Sequence, residues 1–306
     1  MAKLHTIAVE FEGQRVTLPH YRSGQGSRRG LIVAGIHGRE HTSIQVAYDL
    51  VAQLENAALK GVIDIIPVAN PLAYAAETRE SLLDGLNLGQ AFAASEPRSI
   101  TSAIAVAIRG LVEGAEWVLD LHSAGEARYL PHVIFARAKD ADMAASLGLP
   151  FAILRRRTRE GAREGALSWA AAQAGTRGLA LELGGGIAVF PEDVARGLQT
   201  VIAFLGQQGF LEAGDSATAP TARVCVYLDD VRVFVRAPGE GAFYPCTKLG
   251  AVLDRTQELG MWVALDTLRP TSVVAPCRGK LIYLRIRCRT PDGATLAMLL
   301  PERSDA

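Results

Sequence analysis

Four side chains able to bind a metal or transfer a proton occur in three separated segments of the chain. They are His37 and Glu40 in GIHGRE, His122 in DLHSAG and Glu182 in LELGGG. In each segment a strand-like apolar run, LIVAGI, EWVLDL or GLALEL, gives way to Gly or Ser. Ligands of open α/β sheets bind beside the carboxyl ends of the strands. We therefore expect these residues to meet at one edge of a sheet.

The first three residues suit a catalytic zinc ion, which takes three protein ligands and keeps a fourth position for water. His37 and Glu40 lie three positions apart, around the turn from a strand into a helix, and Gly38 between them permits a tight turn. His122 would be the third ligand of one Zn²⁺ per chain. Asp120 lies two positions earlier, on the same strand face, and is predicted to orient a ligand imidazole. A His-x-x-Glu pair alone is common, so the prediction depends on all three segments.

Glu182 stands in an apolar strand that precedes Gly184, Gly185 and Gly186 of LELGGG. Burial of an unpaired carboxylate is costly, which points to a functional role. The position suits a general base that takes a proton from zinc-bound water and later delivers it to a leaving nitrogen. The structural alternative is a strand-end Glu paired with an Arg.

Alternating strand-like and helix-like segments continue up to PEDVARGLQTVIAFLGQQG and predict an α/β fold, with a mixed central sheet flanked by helices. Residues 72–95 lack a clean period and are predicted to form a long functional loop. Residues 155–164 are predicted to form a basic loop. The composition then changes at LEAGDSATAPTA (211–222), a linker of small residues. From Arg223 onward short strands, Gly and Pro predict an all-β region, so we divide the chain into domains 1–215 and 216–306.

The composition excludes several classes of protein. The chain has 306 residues, 49% of them hydrophobic, with 32 Lys+Arg against 32 Asp+Glu. This balance favours neither a nucleic-acid partner nor an anionic membrane, and no apolar run approaches the ~20 residues of a membrane span. The acidic residues of MAKLHTIAVEFEG do not fit a signal peptide, so we expect a cytoplasmic protein with a small-molecule substrate. Whether it forms a homo-oligomer stays open.

Six segments in order, GIHGRE, NPLAYAAETR, DGLNLGQAF, DLHSAG, GALSWAAAQAG and LELGGG, resemble the succinylglutamate desuccinylase/aspartoacylase family, relatives of the zinc carboxypeptidases. The resemblance implies that His37, Glu40 and His122 bind zinc and that Glu182 is the base. It also implies that Arg79 polarises the scissile carbonyl, where a fixed cation would offset the developing oxyanion. The C-terminal region would be the family's barrel-like domain, near the mouth of the active site.

One segment departs from the family pattern. The family usually has DLNRxF, whereas this chain has Asn87-Leu88-Gly89-Gln90-Ala91-Phe92. Gly89 and Gln90 thus replace the Asn-Arg pair that holds a substrate carboxylate, and a bidentate guanidinium contact is lost. We therefore expect a substrate other than N-acetylaspartate or succinylglutamate, with Asn87 and Gln90 still in contact with it.

Two compensations are open. An Arg of the run that begins at Arg155 would replace the lost charge, or the substrate would be neutral or cationic at that point. The alternative for Arg155 is a solvated surface run. Tyr244, in AFYP, is a candidate to reach the cleft, against the alternative of a packed aromatic side chain.

The predicted function is that of a zinc-dependent amide hydrolase that cleaves an N-acyl amino acid or related small amide by attack of zinc-bound water. A metallocarboxypeptidase acting on a peptide and a non-catalytic zinc-binding relative are the alternatives. His37-Gly38-Arg39-Glu40-His41 also matches the HxxEH signature, in which both His bind zinc from one helix and the Glu is the base. That motif belongs inside a long helix, whereas here a strand leads directly into it.

Overall fold

The computed structural model describes residues 3–155, 165–212 and 225–302. The first ten strands are β1 Lys3–Phe11, β2 Gln14–Gln25, β3 Arg29–Ala34, β4 Gly61–Ile66, β5 Trp117–His122, β6 Ala127–Tyr129, β7 His132–Phe135, β8 Phe151–Leu154, β9 Arg177–Glu182 and β10 Cys225–Leu228. The remaining strands are β11 Val233–Arg236, β12 Gly241–Pro245, β13 Val252–Leu253, β14 Glu258–Ala264, β15 Pro270–Val274, β16 Gly279–Arg285, β17 Arg289–Thr290 and β18 Thr295–Pro301. The helices are α1 His41–Leu54, α2 Pro71–Ala76, α3 Ile100–Val112, α4 Ala141–Ser146, α5 Leu167–Gln173 and α6 Pro191–Gln207.

Nine strands form one mixed sheet in the order β1-β2-β4-β3-β5-β9-β7-β8-β10. The central strands β4, β3, β5 and β9 are parallel. The pairs β1–β2, β2–β4 and β7–β9 are antiparallel, and β7 is parallel to β8. The prediction of a mixed α/β sheet is confirmed. Because β3, β5 and β9 are adjacent and parallel, their carboxyl ends lie side by side, where the three predicted segments begin.

Alternation along the strands decides which side chains face the site. In β5, Trp117, Leu119 and Leu121 belong to the apolar layer that also contains residues of α1 and α6. Val118 belongs to the opposite layer, with residues of α3 and α5. Asp120 and His122 share the parity of Val118, as the sequence predicted. The register pairs His122 with Glu182 of β9, so these two side chains are neighbours on one face.

The C-terminal strands form two further sheets. One has the order β11-β18-β16-β13, and the other has the order β15-β14-β12-β17. The short strand β6 lies between β5 and β7 in the chain. It joins the first of these two sheets because it pairs antiparallel with β16. The predicted all-β region is therefore confirmed, and it is joined to the rest of the molecule through main-chain hydrogen bonds.

Several local predictions need correction. ARVCVYL was assigned to the C-terminal β region, but β10 pairs in parallel with β8 and extends the large sheet. Residues 72–95 are not all loop, because Pro71 begins α2, and Asn70 caps it by accepting a hydrogen bond from Ala73 N. Strands β6 and β8 were missed, since three or four residues are too few for a period to show. The domain boundary at 215 and 216 and most of the 155–164 segment lie outside the described residues. Among the described helices, none is long and apolar enough to span a bilayer.

Candidate metal centre and active site

His37, Glu40 and His122 are brought together at the edge formed by β3 and β5. One ligand atom from each lies within 4.8 Å of the others. His37 follows β3, Glu40 is the N-cap of α1, and His122 is the last residue of β5. The Glu40 side chain makes no capping hydrogen bond to the helix, because its carboxylate is turned toward the two imidazoles.

Glu40 bridges the two histidines. Its Oε1 lies 2.7 Å from His37 Nδ1, and its Oε2 lies 2.8 Å from His122 Nδ1. Ser123 N also donates to Oε2 at 3.3 Å. Burial alone would raise the pKa of Glu40, but the charges and hydrogen bonds of His37 and His122 outweigh it and hold the pKa well below its usual range. A fully ionised carboxylate between two imidazole nitrogens is a donor set suited to a divalent cation.

Each imidazole is oriented from its far side. Asn87 Oδ1 accepts from His37 Nε2 at 3.2 Å, and Asp120 Oδ1 forms an ion pair with His122 Nε2 at 3.0 Å. A protonated Nε2 leaves the Nδ1 lone pair for a metal. Asp120 is thus placed for the orienting role expected of it. Asn87, which we expect to contact substrate, lines the cavity and also contacts the predicted metal ligand His37.

Gly38 allows the ligand segment to lie against α2. A Cβ at this position would lie 1.9 Å from the Ala73 carbonyl oxygen, so any other residue would push the segment away. Gly38 N donates to Thr78 O at 2.8 Å. The main chain between His37 and Glu40 is therefore fixed to the segment that carries Arg79.

Glu182 faces the cluster from β9. Its Oε2 is buried, and no hydrogen-bond partner for it is found within the described part of the chain. Burial raises the pKa of Glu182 to about 7, against the lowering effect of the His122 charge. A carboxylate of this kind exchanges a proton near neutral pH, as a general acid or base must.

Arg79 also lies beside the cluster, with its Nη1 4.0 Å from Glu40 Oε1 and 58% of its side chain exposed. The residue follows α2, whose end is marked by Glu77 in the left-handed conformation. Its guanidinium is therefore at the cavity surface and is available to a bound molecule.

One cavity of about 830 Å³ contains all of these groups. The predicted residues that line it are His37, Glu40, Arg79, Asn87, Gln90, Asp120, His122, Arg155 and Glu182. Tyr244 does not line it. This residue follows Phe243 on β12, and because Phe243 is buried in the core of the β region, strand alternation turns Tyr244 outward, where it is 48% exposed.

Several lining residues were not found from the sequence. The C-terminal region contributes Arg232, Phe234, Tyr283 and Met298. Tyr129, on β6, also lines the cavity, and its ring packs edge-on against Tyr283 at 5.0 Å. Burial raises the pKa of Tyr283 to about 12, so it is a hydrogen-bond donor at neutral pH. No local pattern marks these residues, because they reach the site through the pairing of β6 with β16 and of β18 with β16 and β11.

His41, the second His of the HxxEH reading, is not part of the cluster. It is the first residue of α1, so His37 lies outside the helix and the two do not share a helix face. The His41 ring instead packs edge-on against Tyr74 at 5.8 Å, and its Nε2 lies 3.7 Å from Glu77 Oε1. The geometry argues against an inverted zincin arrangement.

Comparison with known proteins identifies the family of this chain. Residues 27–207 match the model of the succinylglutamate desuccinylase/aspartoacylase catalytic domain. The N-alpha-acetyl-L-2,4-diaminobutyric acid deacetylase of Halomonas elongata is 30% identical over 291 residues, which cover 91% of this chain and 83% of that protein.

Solved structures agree in fold. The succinylglutamate desuccinylase/aspartoacylase of Rhodobacter sphaeroides has a TM-score of 0.81 at 19% identity and covers 100% of this chain and 96% of its own. The product-bound ectoine utilization protein of Ruegeria pomeroyi has a TM-score of 0.82 at 20% identity, covering 99% and 95%. The chain therefore belongs to the succinylglutamate desuccinylase/aspartoacylase family, whose members are hydrolases of non-peptide amide bonds.

Proposed function

We propose that this protein is a zinc-dependent deacylase that hydrolyses an N-acyl amino acid or a related small amide. The observation that carries the proposal is the convergence of His37, Glu40 and His122 within 4.8 Å of one another. Glu182 and Arg79 line the same cavity, so a base and a cation flank the cluster.

The donor set fits zinc. Two imidazole nitrogens and one carboxylate oxygen are a common ligand set of catalytic zinc, and the two Nδ1 atoms already face Glu40. When bound, Zn²⁺ would polarise the acyl carbonyl and lower the pKa of a coordinated water.

Glu182 is the proton carrier in this proposal. Its carboxylate accepts a proton from the attacking water and later delivers it to the leaving nitrogen, so that the products are a carboxylic acid and a free amine. Each transfer is balanced, because the base returns to its starting form. The buried Oε2, for which the described residues offer no hydrogen-bond partner, supports this role, since no hydrogen bond to those residues has to break first.

Arg79 is assigned to the oxyanion that develops on the acyl group. We expect Arg79→Met to lower kcat by about 10²–10³-fold, the usual effect of removing one oxyanion donor, with zinc content unchanged. Arg98, an exposed residue of the same connection, does not line the cavity, and Arg98→Met is the matched control. Full kcat in Arg79→Met would remove Arg79 from this role.

The substrate proposal follows from Gln90. An amide side chain donates and accepts hydrogen bonds but does not neutralise a carboxylate, so the side chain of the acylated amino acid is proposed to be neutral or cationic. The relative from Halomonas elongata is named for a substrate with a cationic side chain, which supports this choice. Arg155 also lines the cavity and is the proposed partner of the substrate's α-carboxylate.

The test combines metal analysis with a substrate panel. We expect about one zinc per chain, loss of activity on treatment with a chelator, and recovery with Zn²⁺. The panel compares N-acetyl amino acids with acidic, neutral and cationic side chains, and includes a short peptide. Full activity of metal-free protein would contradict the proposal. Release of the peptide's C-terminal residue would favour a carboxypeptidase, and zinc binding without turnover of any amide would favour a non-catalytic relative.

A further inference from the structure

One carboxylate outside the metal cluster gathers three guanidinium groups. Glu126 lies just beyond His122, in the connection from β5 to β6. Its Oε1 accepts from Arg39 Nη1 at 2.9 Å and from Arg287 Nη1 at 2.9 Å. Its Oε2 accepts from Arg285 Nη2 at 2.6 Å. Charge-assisted bonds of this length are the stronger kind.

Arg39 connects this carboxylate to the proposed ligands. It stands between His37 and Glu40 in the chain, so its position and theirs are coupled through the backbone. Its Nε donates to the carbonyl oxygen of Glu77, two residues before Arg79. One side chain thus joins Glu126, the ligand segment and the Arg79 segment.

The other end of the network is fixed in the C-terminal β region. Arg285, on β16, is only 4% exposed and also donates through Nε to the carbonyl oxygens of Arg287 and Arg289, at 3.0 and 3.2 Å. The main chain of Glu126 is held there as well, because its carbonyl oxygen accepts from Ile286 N at 3.2 Å and Arg287 N at 3.1 Å. The place of the Glu126 carboxylate is therefore set by β16 rather than by the large sheet.

The ligand segment packs tightly against the glycines that follow Glu182. A Cβ on Gly186 would lie 1.7 Å from the Ala124 carbonyl oxygen and 2.7 Å from the Arg39 carbonyl oxygen. Ile187 N donates to Gly125 O at 2.9 Å. The glycines after Glu182 thus pack against the backbone at Arg39 and the loop after His122, so a shift of Arg39 would disturb these contacts.

We propose that Glu126 is a positioning residue through which the C-terminal β region holds the metal ligands His37 and Glu40 in place. The inference rests on the proposed metal site. Retaining a partly buried carboxylate among three cations adds little stability when compared with apolar packing. Its use lies in fixing a ligand geometry, as outer partners do in metal sites.

The decisive measurement is zinc affinity by chelator competition in Arg39→Met. Loss of a positive charge near a cation site would by itself strengthen metal binding. Positioning predicts the opposite, an affinity lower by about tenfold, at the low end of the range for outer partners. Glu126→Gln is expected to weaken binding similarly. In the Arg39→Met background, Glu126→Gln is expected to cause no further loss of zinc affinity. A through-space effect of the Glu126 charge would instead lower the zinc affinity of the double variant below that of Arg39→Met.

Glu116→Gln is the matched control, because Glu116 accepts from Arg28 Nε and Nη2 at 2.9 and 2.8 Å in an exposed pair that does not line the cavity. Its zinc affinity is expected to equal that of wild type. If Arg39→Met binds zinc as tightly as wild type or more tightly, the inference about Glu126 is overturned, while the proposed function stands. Absence of zinc binding by wild type would overturn the proposed function together with it. If Glu126→Gln fails to fold because Arg285 loses its partner, the zinc affinity of Arg39→Met still tests the inference. That variant keeps the ion pair between Glu126 and Arg285.

Discussion

Glu182→Gln is expected to lower kcat by about 10²–10⁴-fold, the contribution usual for a general acid–base group, while zinc content stays at the wild-type level. The amide keeps the shape of the side chain but neither takes a proton from water nor delivers one to nitrogen. Burial already raises the pKa of Glu182 to about 7, so the fold is expected to tolerate a neutral group there. Steady-state kinetics with metal analysis on the same sample measure both effects.

In Glu182→Gln, the zinc content distinguishes loss of proton transfer from loss of the metal site. Glu182 is not in the ligand cluster, although it pairs in register with His122 on the neighbouring strand. A variant that loses zinc together with activity would mean that Glu182 supports His122 instead of carrying protons. Turnover within tenfold of wild type would show that another group is the base.

Glu40→Gln is expected to abolish zinc binding under the same conditions, with an affinity loss above the roughly 10–100-fold that outer partners cause. The neutral amide removes the only charge in the proposed ligand set, and it leaves His37 and His122 without the carboxylate that lies 2.7 and 2.8 Å from their Nδ1 atoms. Chelator competition and metal analysis are the measurements. Activity is lost as a consequence.

His41→Asn is the control for that experiment. In the HxxEH arrangement His41 would be a ligand and Glu40 the base, so Glu40→Gln would keep zinc and His41→Asn would lose it. In the site described here the pattern is reversed, because His41 contacts Tyr74 and Glu77 instead of the cluster. The two variants together therefore distinguish the two arrangements, whichever one loses the metal.

The sequence predicted the site best where strong local signals met a simple rule of sheet geometry. LIVAGI, EWVLDL and GLALEL are apolar enough to be buried strands, and the rule that ligands gather at strand ends predicted that the residues at these ends lie together. Period-two alternation then put Asp120 on the face of His122. These inferences needed no knowledge of strand order beyond the adjacency of three parallel strands.

The sequence failed where contacts depend on distant pairing. Strand β6 is three residues long and gains its partner only when β16 folds beside it. Tyr244 lies on strand β12, and its outward direction follows from the burial of Phe243 next to it. Strand β10 likewise belongs to the large sheet only because it pairs with β8. With four residues, β8 is too short for a periodic pattern to be recognised in the sequence.

By itself the sequence determined the α/β class, the three strand ends, and the residue types that suit a metal, a base and an oxyanion cation. These are local properties, since hydrophobic period and turn chemistry act over a few residues. Only the tertiary structure decided that the β region supplies Tyr283, Arg232 and Met298 to the cavity, and that Glu126 joins Arg39 to buried Arg285. The physical reason is that long-range strand pairing, which closes loops of more than a hundred residues, leaves no periodic trace in the segments that it joins.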